Sequence, residues 1–106
     1  MGKEIRLILE YQCYPIWIYD ENSDFIDNDL PKEIRDNKTL VNMIEEIQQE
    51  FDLLYLNNNK EFKYVGFKTP DQKKKFKEKV LGLYEKLSYF LQDKYVIKNM
   101  IDVDKL

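Results

Sequence analysis

The sequence predicts an α+β fold in which a small three-stranded sheet, antiparallel or mixed, carries two helices packed on one face. Three observations predict it. Residues 3–11 alternate apolar and polar side chains with the period of a strand. Two later stretches repeat apolar residues at helical spacing. A run of β-branched and aromatic residues then returns near the C-terminus. The element order is β-β-α-α-β, which a two-layer sandwich accommodates.

Each element has its own signal. In the first strand Ile5, Leu7, Leu9 and Tyr11 share one face, while Arg6 and Glu10 take the other with Ile8. Tyr14-Pro15-Ile16-Trp17-Ile18-Tyr19 forms the second strand. Pro15 cannot donate to a ladder, so this strand lies at an edge or begins near Pro15. No Asn-Gly or Gly-Gly separates the two runs, which predicts a less regular turn near Gln12 and Cys13. Residues 20–36 are acidic and rich in Asx, and read as irregular chain.

A helix follows from about 38 to 56, capped by Asn37, with Leu40, Ile44, Ile47, Phe51 and Leu54 as its apolar stripe. Asn57-Asn58-Asn59 ends it, and Phe62 to Phe67 is a connector with anchoring aromatics. Thr69-Pro70-Asp71-Gln72 is the best helix start in the chain: Thr69 can cap, Pro70 suits the first helical position, and Gln72 completes a capping box. Phe76, Val80, Leu83, Tyr84, Leu87 and Phe90 carry the second stripe to about residue 92. Tyr95 to Ile101 is the last strand, expected beside the first.

Composition bounds the chemistry. The chain has 106 residues, 43% hydrophobic and 35% charged, which suits one globular domain, 1–106, rather than a disordered chain. No stretch is apolar enough to span a membrane, and the N-terminal residues show neither a signal-peptide core nor a myristoylation signal, so a cytoplasmic protein is expected. There is no histidine, which removes Ser-His-Asp and Cys-His catalysis and imidazole zinc sites. Cys13 is the single cysteine, so there is no intrachain disulfide and no thiolate cluster for a metal. The carboxylates Glu45, Glu46 and Glu50 lie on a helix and are expected to be wet, whereas a general acid needs burial to raise its pKa. Catalysis is left to carboxylates, Lys and Tyr, so an enzyme starts at a disadvantage, and no cofactor or metal is expected.

Net charge is −3, but residues 1–53 carry 13 acids and 5 bases while residues 54–106 carry 7 acids and 12 bases. Opposed electrostatic faces follow. On the acidic side, Asp20, Asn22 and Asp24 match the opening of an EF-hand loop, but Phe25 stands where its glycine belongs and Pro31 where its glutamate belongs. Either a solvated loop or an anionic surface for a basic partner fits these residues. Trp17 and Tyr19 immediately before the loop favour the second reading, since aromatics beside charges typify binding surfaces. On the basic side, Lys73, Lys74, Lys75, Lys77 and Lys79 read as a solvated face. Nucleic-acid recognition would call for arginine, stacking platforms and net positive charge, and both arginines sit in the acidic half.

The segment Leu9-Glu10-Tyr11-Gln12-Cys13-Tyr14-Pro15-Ile16-Trp17 resembles small immunity proteins of contact-dependent growth-inhibition and related polymorphic-toxin systems. Asp29-Leu30-Pro31 ahead of the first helix and Gly66-Phe67 before the second agree with that pattern. The similarity covers residues 5–92 and is specific only in its first segment. Gln12 stands where relatives are expected to carry histidine. The resemblance implies a non-enzymatic inhibitor that binds one cognate toxin domain, often an RNase or other nuclease, as a 1:1 complex. Asp20, Glu21, Asp24, Asp27 and Asp29 would imitate phosphates, with Trp17, Tyr19 and Phe25 as apolar anchors. Two alternatives stay open: a phage-type acidic inhibitor or adaptor that mimics nucleic acid, and a small nucleic-acid-binding module using the lysine helix. A free monomer is expected, because Pro15 would blunt an edge strand.

Overall fold

The computed structural model describes residues 2–106. Its main sheet has four strands in the order β3-β2-β1-β6: β1 (Lys3–Leu7), β2 (Ile16–Tyr19), β3 (Phe25–Asp27) and β6 (Tyr95–Asn99). The first two neighbouring pairs, β3-β2 and β2-β1, are antiparallel, and β1 and β6 run parallel. A separate hairpin is made by β4 (Tyr55–Asn57) and β5 (Phe62–Tyr64). The helices are α1 (Lys38–Asp52) and α2 (Pro70–Phe90).

Alternation in β1 and β2 decides the layering. Ile5, Leu7, Ile16 and Ile18 point to one face and are buried with Ile44, Ile47 and Phe51 of α1 and Phe76, Leu83 and Leu87 of α2. Glu4 and Arg6 alternate with them onto the opposite face, opposite Tyr19 and Trp17 in the antiparallel register. Both helices therefore cover one side of the sheet, as the sequence predicts, and the other side is open. β6 lies beside β1, also as expected, with Glu4 against Val96 and Arg6 against Lys98.

The caps follow the sequence. Asn37 accepts from the Leu40 N–H at 3.1 Å, and Thr69 from the Gln72 N–H at 3.0 Å. The Gln72 side chain accepts from the Lys68 N–H at 2.8 Å, one position before the cap and so outside a strict capping box. The turn between β1 and β2 is irregular, with Gln12 at φ 59° and its N–H donating to Asp52 Oδ1 at 2.8 Å. The end of α1 thereby fixes the turn above the sheet.

Four expectations are corrected. The sheet has a fourth strand, because Phe25–Asp27 folds back on β2 through a bulged register that the surrounding Asx residues concealed. Strand β2 is consequently interior, and Pro15 blunts no edge. It precedes the strand and contributes only its carbonyl, which accepts from the Ile8 N–H at 3.2 Å. The argument for a monomer from that edge falls with it. Helix α1 ends at Asp52 rather than near 56, and the expected connector is the second strand of the β4-β5 hairpin. Asn58 closes that hairpin, accepting from the N–H groups of Lys60 and Glu61 at 2.8 and 3.0 Å. Finally, Leu91 takes the buried position expected for Phe90, which is 50% exposed.

Asn28 holds the acidic segment against the sheet. Its side-chain amide donates to the Tyr14 carbonyl at 2.7 Å and to the Ile16 carbonyl at 2.8 Å. Asn28→Ala leaves two acceptors without their donor and is expected to cost about 1–2 kcal/mol, read from urea unfolding followed by Trp17 fluorescence.

The lysines of α2 are less free than the sequence suggests. Lys79 reaches both Glu46 and Glu50 of α1, Lys77 pairs with Asp104 at 3.0 Å, and Lys75 pairs with Asp71 at 3.2 Å. Lys73 donates to the Asp104 carbonyl at 3.2 Å. Of these, only the Lys79 pairs join the basic half of the chain to the acidic half across the helix pair. Lys79 is 40% exposed, so Lys79→Ala is expected to lower stability by no more than about 1 kcal/mol in the same unfolding assay.

Candidate interaction surface

The open face of the sheet gathers the aromatic residues that the sequence singled out. Phe25 is 54% exposed and lies against Trp17 and Tyr19, with ring centroids 5.7 and 5.8 Å apart. Trp17 is half-buried and belongs to this face rather than to the core. Its indole N–H donates to the Ile8 carbonyl at 3.0 Å, which fixes the ring on the sheet. The Arg6 guanidinium sits 3.9 Å from the Tyr19 ring centroid, a cation–π arrangement. Glu4 binds Arg6 on one side and Lys98 on the other at 3.0 Å. The hydrogen bond from Arg6, and then that from Lys98, hold the Glu4 carboxyl below its ordinary value of 4.5.

The acidic residues divide into two kinds. Asp20 organises a tight turn: its Oδ1 accepts from the Asn22 and Asp24 N–H groups, both at 2.9 Å, and Ser23 takes φ 66°. Asp27 accepts from the Asn28 N–H at 2.8 Å. Asp29 accepts from the Leu30 N–H at 2.7 Å and pairs with Arg35 at 3.3 Å. Among the described residues, Glu21 and Asp24 make no ion pair and are exposed. The turn bearing them follows directly from Tyr19 and leads into Phe25. The structure therefore brings Trp17, Tyr19, Phe25, Glu21 and Asp24 to one end of the sheet. Asp20, Asp27 and Asp29 have backbone or ion-pair duties of their own.

The other candidates fare differently. Glu46 and Glu50 pair with Lys79, and the hydrogen bond from Lys79 holds Glu46 below its ordinary value of 4.5. Cys13 is half-buried beside Gln12, Tyr14 and Asn28 in a polar cleft. No cluster of three potential metal-ligating side chains occurs among the described residues, and no described helix is long and apolar enough to cross a membrane.

Sequence reasoning missed a second surface. Tyr55 and Phe62 stack across the β4-β5 hairpin with centroids 5.3 Å apart and an interplanar angle of 8°. Tyr11 lies against both at 5.0 Å, and Tyr64 meets Tyr55 edge-on at 5.2 Å. Phe62, Tyr64, Val65 and Leu53 remain exposed around this cluster. The signal was available as two aromatic triplets, Tyr55-Leu56-Asn57 and Phe62-Lys63-Tyr64, separated by a four-residue polar turn.

An uncovered sheet face with aromatic anchors and charged borders has the form of a protein-binding surface. A family model described as Serratia CdiI immunity protein-like matches residues 3–101. The chain belongs to this family of contact-dependent growth-inhibition immunity proteins, and its role is to neutralise a toxin. No curated protein matches it.

Glu4 and Glu46 set an acid limit to stability. Their folded pKa values lie below the ordinary 4.5, so their contribution is present above that pH and is lost as pH falls through the folded values. The melting temperature is expected to decline below about pH 4.5, and Glu4→Gln to flatten part of that decline in scanning calorimetry.

Proposed function

We propose that this immunity protein binds one cognate toxin domain in a 1:1 complex in the cytoplasm and blocks its active site without catalysing a reaction. The toxin surface it fits is basic with an apolar centre, as in a nuclease whose cleft attracts a polyanion. One observation carries this reading. Phe25 stands exposed against Trp17 and Tyr19, at the root of a turn whose carboxylates Glu21 and Asp24 have no partner among the described residues. An aromatic anchor supplies apolar contact, and unpartnered carboxylates steer and orient a cationic surface.

The fit is chemical rather than sequence-specific. Glu21 and Asp24 keep their charge without first breaking an internal ion pair, so meeting a toxin lysine or arginine desolvates them but disrupts nothing. Asp29 would have to release Arg35 before it could act the same way. Of the five carboxylates expected to act together, this reading gives the leading part to Glu21 and Asp24.

The test is calorimetric titration with the toxin domain encoded by the adjacent reading frame. Phe25→Ser is expected to weaken binding about 10- to 100-fold, as for a central aromatic anchor. Glu21→Lys with Asp24→Lys is expected to weaken it by at least about 10-fold and to reduce its dependence on salt, with the melting temperature unchanged. Wild-type affinity in both variants would remove this end of the sheet from the interface.

A further inference from the structure

We infer that the aromatic hairpin is a second contact for the same toxin domain, and that it receives a toxin surface of opposite chemistry, acidic around an apolar centre. The inference rests on the toxin-binding reading above and adds to it a two-point recognition with reversed polarity.

Leu53 is 76% exposed, and Phe62 and Val65 are each 53% exposed. Leu53, Leu54, Val65 and Phe67 line a groove of 370 Å3 together with Lys68. Leu53 and Val65 share that groove, and apolar surface gathered in one place marks an interaction site more often than isolated apolar residues do. The rings are already ordered by one another, so docking on them restricts few side-chain rotamers. Tyr55 and Phe62 are stacked on each other, which leaves no paired free faces between which a nucleobase could slide. Neither arginine lies in this part of the chain. These features favour a protein over a nucleic acid.

Charge selects the occupant. Lys60 lies in the hairpin turn and Lys68 borders the groove, and among the described residues neither makes an ion pair. A second copy meeting this surface symmetrically would bring lysine against lysine, which is repulsive. An acidic partner surface is complementary.

Geometry allows one partner to reach both ends. The molecule is 45 Å in its longest dimension. The acidic turn follows the Tyr19 end of β2, whereas Tyr11 of the hairpin cluster lies in the turn at the other end. Residues 11–19, even fully extended, span no more than about 30 Å. A standard interface of about 800 Å2 per partner is about 30 Å across. Phe25 touches Tyr19 and Trp17, Trp17 donates to the Ile8 carbonyl three residues before Tyr11, and Tyr11 touches Phe62. Opposite charges at the two ends would fix the toxin's orientation and reject a toxin that matches at one end only.

The test uses the full-length protein, the toxin domain from the adjacent reading frame, calorimetry, and light scattering of the free protein in low salt. Phe62→Ser with Tyr64→Ser, and separately Lys60→Glu with Lys68→Glu, are each expected to weaken toxin binding at least 10-fold. The lysine pair keeps the test valid should the aromatic pair unfold, as judged by circular dichroism. Wild-type affinity in the folded hairpin variants, alongside loss in Glu21→Lys with Asp24→Lys, overturns the inference and leaves the acidic-turn reading intact. The reverse pattern supports the hairpin and removes the acidic turn. A wild-type dimer in low salt that the hairpin substitutions dissolve, with toxin affinity unchanged, assigns the surface to a second copy and overturns the inference.

Discussion

The two-state alternation of β1 is the constraint on which the rest depends. Ile5 and Leu7 enter the core while Glu4 and Arg6 leave it, and β1 is the strand that joins the two halves of the sheet. Its antiparallel neighbour arrives from the next segment of chain, and its parallel neighbour arrives from the far end. A one-residue slip in β1 would turn Glu4 and Arg6 into the helix layer and expel two fully buried side chains. Register and layering are therefore the same fact. Because only one face of β1 is apolar, the helices have only one side to cover, and the candidate interaction face is the side they leave.

That open face is not left loose. Arg6 lies on Tyr19, Glu4 holds Arg6 and Lys98, and Trp17 is tied to the Ile8 carbonyl. Polar residues that would otherwise be a solvated exterior instead set the positions of aromatic rings. The result is a shaped surface of the kind that a protein neutralising a toxin by binding would need.

Much of the fold was legible because periodicity reports burial directly. The stripes Leu40-Ile44-Ile47-Phe51 and Phe76-Val80-Leu83-Leu87 fall on the buried sides of α1 and α2, and Asn37 and Thr69 cap where their positions require. What escaped was short and aromatic. Phe25–Asp27 has three exposed residues among Asx neighbours, so neither alternation nor composition marks it as a strand. Its pairing is created by the Asp20 turn and held by Asn28, contacts that no local pattern records. The β4-β5 hairpin escaped for a related reason: Leu54 continues the α1 stripe, so the helical period runs past the helical backbone. For the candidate site, the sequence named aromatic residues that the fold brings together, but it could not separate carboxylates engaged in turns from those left free. Hydrogen bonding to one's own backbone is invisible to charge counting.

The Asp20 turn has a kinetic meaning. Two backbone N–H groups converge on one carboxylate oxygen, and Ser23 takes the left-handed conformation that closes the loop, so Glu21 and Asp24 are presented on a segment already in its folded shape. A loop that must order itself during encounter loses conformational entropy at that moment and slows productive collision. Here that ordering was completed when the chain folded. In the proposed reading, a pre-shaped, charged loop would speed the first touch of a toxin rather than add to its ultimate tightness.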